Sequence, residues 1–72
     1  MRNNTYEAII IPREVKPMLG ENNYVAKVNI YKIGESEKGP IQHDLGESWG
    51  KTEIDACEKM NKKVEDWLKV NE

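Results

Sequence analysis

One change of hydrophobic period, at Gly50-Lys51-Thr52-Glu53-Ile54-Asp55-Ala56, divides the chain into an alternating part and a helical part. Thr52 is placed to cap a helix with its hydroxyl, Asp55 occupies the capping-box position, and Glu53 and Asp55 put negative charge in the first turn. Downstream, Ile54, Cys57, Met60, Val64, Trp67 and Leu68 recur at three- and four-residue spacing within one half of a helix circumference. The other half is polar: Asp55, Glu58, Lys59, Lys62, Lys63, Glu65, Asp66 and Lys69. Glu58–Lys62 and Glu65–Lys69 stand in the favourable i,i+4 order, worth about 0.2–0.5 kcal/mol each. Such a stripe needs a sheet to lie on.

The sheet is read from what precedes it. Thr5 to Ile11 is rich in β-branched and aromatic residues and stops at Pro12, which has no ladder donor to offer. Its two faces carry Tyr6, Ala8 and Ile10 against Glu7, Ile9 and Ile11, so the second is semi-apolar and calls for a cover. Arg13 to Asn23 contains Pro17, Gly20, Asn22 and Asn23 and reads as a loop. Tyr24 to Ile33 alternates cleanly, with Ala26, Val28 and Ile30 on one face and Lys27, Asn29 and Tyr31 on the other. Gly34 to Pro40 is a polar hairpin connection, and Ile41 to Leu45 a third, shorter strand with Ile41, His43 and Leu45 on one face. The expected architecture is α+β: a three-stranded antiparallel sheet followed by one C-terminal helix (β-β-β-α), packed as a two-layer sandwich in a single domain over residues 1–72. Its core is expected from Ala26, Val28, Ile30, Leu45 and either Tyr6 or Ile9.

Size limits what that core can do. A chain of 72 residues buries only about 60% of the surface its unfolded form exposes, and one core of this size supplies roughly 3–5 kcal/mol. The single cysteine cannot pair within the chain and no Cys or His cluster has metal-ligand spacing, so neither disulfide nor metal reinforces it, and no cofactor is expected. Self-association is the remaining reinforcement, and a homodimer is the expectation. The net charge of −2 argues against tight, charge-driven nucleic-acid binding. No apolar h-region follows Met1-Arg2-Asn3-Asn4 and no run has membrane-span length, so the expectation is a cytoplasmic protein with no membrane partner.

Candidate catalytic groups do not assemble. Adjacent in a strand, His43 and Asp44 point to opposite faces and cannot form a base and its orienting partner. Ser36 and Ser48 lack a nucleophile elbow. Cys57 falls on the apolar face of the helix as a small hydrophobe, and Trp67 reads as core. Lys59, Lys62, Lys63 and Lys69 are interspersed with acids, so their field largely cancels. Gly46 and Gly50 precede a helix N-terminus, a spacing too generic to mark an anion site. Trp49, in a turn between Gly46 and Gly50, either caps the edge of the core or serves as an exposed recognition anchor.

The strand Tyr24-Val25-Ala26-Lys27-Val28 followed by the Gly50-x-Thr52-x-x-Asp55-Ala56 helix start resembles the HicB-type antitoxin domain, with Asp55 where that family carries Glu. The Pro and Gly usual before that helix are missing, the Gly34 to Trp49 segment is longer and more polar, and no DNA-binding module is appended. The resemblance implies a partial double-stranded-RNA-binding-domain fold that binds and covers a small protein toxin. Both lines of reading lead to a non-enzymatic interaction module with a protein partner or a second copy, its candidate contact residues being Ile9, Ile11, Lys27, Tyr31 and Trp49. The alternative is an RNA-binding module using the sheet face around Lys27, Tyr31 and Lys32.

Overall fold

The computed structural model describes residues 1–19 and 22–72. It is a three-stranded antiparallel sheet in the order β1-β2-β3 with one helix packed on it: β1 (Tyr6–Leu19), β2 (Asn22–Lys32), β3 (Ser48–Gly50) and α1 (Glu53–Val70). A single 3₁₀ turn, Ser36–Lys38, stands in the connection after β2. There Lys38 and Lys32 both hold Glu35, at 2.7 and 3.2 Å, and keep its carboxyl below the ordinary carboxylate range.

Three elements differ from the sequence expectation. β1 does not stop at Pro12 but continues to Leu19, so residues 13–19 and 22–23 are strand rather than loop; Gly20 and Glu21 lie outside the described residues. The reason is the parity of the ladder. Ala8 N–H and C=O turn away from β2, to Met1, and Pro12 shares that parity. Its missing N–H therefore faces the free edge of an edge strand and removes nothing from the pairing with Ala26.

The third strand is Ser48–Gly50, not Ile41–Leu45, and it takes Trp49 out of the turn and into the sheet, opposite Val25. Ile41 to Leu45 runs beside β2 without laddering. Ile41 N–H reaches Ile30 C=O at 2.8 Å, and the next outward carbonyl, Val28, is met by the His43 ring at Nε2, 2.8 Å away. Leu45 N–H in turn donates to His43 Nδ1 at 3.2 Å. A carbonyl can only accept and an amide N–H can only donate, so this imidazole is the neutral Nε2–H form. It stands in for a strand N–H.

On α1 the buried residues are Ala56, Met60, Val64 and Leu68, with Cys57 and Trp67 half-buried against the same core. Ile54, expected on the stripe, is 71% exposed. At 100° per residue it lies beyond the arc that those four residues cover, and small Ala56 takes the buried place in the first turn. Thr52 Oγ1 accepts Asp55 N–H at 3.1 Å as expected of a cap, and Asp55 Oδ2 reaches back to Lys51 N–H at 3.4 Å. Among the described residues, the i,i+4 ion pair of the helix is Asp55–Lys59, 3.5 Å, rather than Glu58–Lys62 or Glu65–Lys69.

The core joins α1 to Ala8, Ala26, Val28 and Ile30, with Tyr6, Ile10, Tyr24, Ile41 and Leu45 packed around it. Of the two alternatives Tyr6 and Ile9, Tyr6 is thus the one that packs against this core, together with Ala8 and Ile10 of the same strand. The Lys59 ammonium donates to Trp49 C=O and the Lys63 ammonium to Leu45 and Glu47 C=O, pinning the approach to β3 onto the helix. Asn3 does the same elsewhere, accepting from Thr5 and Tyr6 N–H and donating to Leu68 C=O.

Candidate interaction surface

Side chains alternate across a pleated sheet, so the helix can cover only one of its two faces. Over residues 6–13 and 24–31 the even-numbered residues point to the helix side and the odd-numbered ones form the outer face. On that face the ladder sets four rows: Glu7 beside Tyr31, Ile9 beside Asn29, Ile11 beside Lys27, and Arg13 beside Val25 with Trp49 completing the last row. All five residues singled out in the sequence, Ile9, Ile11, Lys27, Tyr31 and Trp49, lie on this one surface. Lys32 does not: its parity is that of Ile30, and it is paired with Glu35.

On the outer face Ile9, Ile11 and Trp49 lie around Lys27 and Asn29, and the Glu7–Arg13 stretch of β1 is charged at its two ends. Ile9, Ile11 and Trp49 are 48, 45 and 40% exposed, and no α1 side chain reaches them across the sheet. Val25, between Arg13 and Trp49, is only 1% exposed although it belongs to this side and not to the main core. Glu7 sits at one end, 3.9 Å from the Arg2 guanidinium, and Arg13 at the other. Lys27 is central, its aliphatic stem able to lie along neighbouring apolar surface with the ammonium in water.

Comparison with protein-family models, curated proteins and solved structures returns no match.

Other groups are already committed. Both His43 ring nitrogens are engaged by main-chain partners, which leaves neither for proton transfer with Asp44. Burial, and then the Glu53 charge, push the Cys57 thiol above its ordinary range, the opposite of what a nucleophilic thiolate needs. Lys59 and Lys63 are held by loop carbonyls, and the N-terminus of α1 is filled by Thr52 and Asp55. Among the described residues, no group of three or more His, Cys, Asp or Glu is arranged for a metal ion, and no helix is long and apolar enough to cross a membrane. An open cleft of about 600 Å³ between residues 1–3 and the end of α1 contains none of the candidate residues.

Glu7, Arg13 and Val25 were not singled out from sequence. Arg13 was hidden by the reading of Pro12 as a strand end. Val25 carries the clearer signal, since it alternates with Ala26 and must face the side away from the core.

Proposed function

We propose that this protein is a non-enzymatic protein-interaction module whose docking surface is the outer face of its sheet. The observation that carries the reading is the placement of Ile9, Ile11 and Trp49, exposed and contiguous with Val25, on the face that α1 leaves uncovered. Large aromatic and aliphatic side chains grouped around a desolvated centre are what a recognition surface requires.

The sheet edges point to side-chain docking rather than strand addition. Along β1 the edge at Ala8 is taken by Met1, and Pro12 removes the next donor but one. Along β2, beyond the short β3, Ile41 and His43 occupy the outward carbonyls of Ile30 and Val28. The resemblance of the Tyr24–Val28 strand and the Thr52-capped helix to the HicB-type domain supports the same reading, because it implies a protein partner.

Photo-crosslinking from a benzophenone side chain at position 11, against position 62 on the solvent side of α1, tests this in the native cell. Protein adducts from position 11 and none from 62 are expected. Equal labelling from both, or none from position 11, overturns the reading. RNA retention on filters that falls with salt would move it to the nucleic-acid alternative.

A further inference from the structure

The outer strand of this face reads Glu7, Ile9, Ile11, Arg13, that is, acid, apolar, apolar, base. Turned end for end, the series is its own complement. We propose that the occupant of the face is a second copy of this chain, packed sheet to sheet about a two-fold axis that lies between the sheets and crosses the strands at Ile10. The inference rests on the docking face argued above.

Such an axis sends position 7 to 13 and 9 to 11, so β1 stacks antiparallel on β1 of the second copy. Glu7 then faces Arg13 of the second copy, and Ile9 faces Ile11, each relation occurring twice by symmetry. The register of β1 on β2 carries the axis to Val28, since Ile10 pairs with Val28. Tyr31 therefore falls opposite Val25 of the second copy and Asn29 opposite Lys27. Trp49, beside Val25 in the same row, reaches the neighbourhood of Tyr31 of the second copy. Lys27 meets no like charge, and where Arg2 comes beside Arg13 of the second copy the Glu7 carboxylate stands between them. A parallel stacking would instead put Glu7 on Glu7 and Arg13 on Arg13, which disfavours it.

Area sets the strength. Seven residues of β1 and of β2 and three of β3, at about 3.4 Å per residue and about 4.8 Å between strands, make a face of roughly 280 Å² in projection. Two such faces bury on the order of 600 Å², below the size of stable specific interfaces, so the pair is a weak and reversible one. The same contact gives a chain with a small core a second apolar layer over Ile9 and Ile11, which the single chain leaves exposed.

Sedimentation velocity over about 5–200 μM, a range suited to a weak interface, tests the arrangement on the full chain. The parent is expected to pass from monomer to dimer within it. Glu7→Arg and Arg13→Glu singly should each raise the midpoint at least about fivefold, and the double swap should return it to within about twofold. Arg2→Gln, which releases Glu7 from its own-chain partner, should lower the midpoint or leave it in place and should not raise it; far-ultraviolet circular dichroism verifies that each variant is folded. A double swap no better than the singles overturns the two-fold register. A parent that stays monomeric overturns the second copy as occupant; protein adducts from position 11 would then leave the docking face standing, and their absence would remove both.

Discussion

The Tyr6 ring meets the Trp67 ring edge-on, with centroids 5.0 Å apart and planes at 72°. The pair ties the first residue of β1 to the last turn of α1, a separation of nearly the whole chain, and Asn3 reinforces it by donating to Leu68 C=O at 2.8 Å. Trp67→Ala is expected to destabilise by about 3 kcal/mol, near the bottom of the range for a large core aromatic because the ring is half-buried. Urea unfolding checks this, and a double-mutant cycle with Tyr6→Leu should return a coupling of about 0.5–1.5 kcal/mol.

Gly50 marks the closest approach of β3 to α1. A Cβ there would lie 2.6 Å from Ala56 N and 3.0 Å from Asp55 C, both backbone atoms that cannot swing aside. Gly50→Ala should therefore cost at least about 1–3 kcal/mol through displacement of the helix start. Gly46→Ala meets no atom within 4 Å and bears only the strain of its φ of +65°, about 1–2 kcal/mol. Thermal melting of the two variants is expected to rank Gly50→Ala lower, with its helical signal reduced at the first turn.

The neutral His43 ring is expected to be the Nε2–H tautomer, since it bridges Val28 C=O and Leu45 N–H. Long-range nitrogen–proton correlation spectra of the imidazole read this directly; an Nδ1–H tautomer would contradict the bridge. His43→Ala strands the Val28 carbonyl and the Leu45 amide and should cost about 1–3 kcal/mol. Amide exchange should then accelerate at Leu45.

Cys57 should react slowly with thiol reagents at neutral pH. Its folded-state pKa is raised, first by burial and then by Glu53, so the thiol form is favoured by the fold. That contribution is fully present below the ordinary thiol pKa and is lost as pH rises through the folded-state value. The labelling rate is expected to climb only on the alkaline side of the ordinary thiol range, and Glu53→Gln should move the rise to lower pH. A rise at or below that range in the parent would contradict it.

Periodicity made most of the architecture legible. The strand expected over Tyr24 to Ile33 and the Thr52-capped helix follow local rules, since alternation and capping depend on neighbours in sequence; they are found as Asn22–Lys32 and Glu53–Val70, with Ile54 alone of the expected stripe turned out to solvent. What escaped was decided by partners far along the chain. Pro12 is harmless only because β1 is an edge strand in a particular register. Ile41 to Leu45 alternates well enough for a strand, yet the His43 ring takes the hydrogen bond that a ladder amide would have made. Ser48–Gly50, with a serine and a glycine around a tryptophan, has poor strand propensity and is a strand because β2 and the helix start close around it. The outer surface was half legible: Ile9, Ile11, Lys27, Tyr31 and Trp49 are plain in sequence, but only the pairing of Val25 with Trp49 shows that they share one side.

Pro12 has a reach beyond the native sheet. It directly follows Ile9-Ile10-Ile11, a tract of the kind that stacks into cross-β fibres when a nascent or unfolded chain exposes it. A growing fibre draws one amide hydrogen from each residue, alternately to either side of the strand, and here the supply ends at the last isoleucine. Because the ring faces the unladdered edge of β1, this gatekeeper costs the folded molecule no hydrogen bond, so the unfolded tract is guarded without loss to the native sheet.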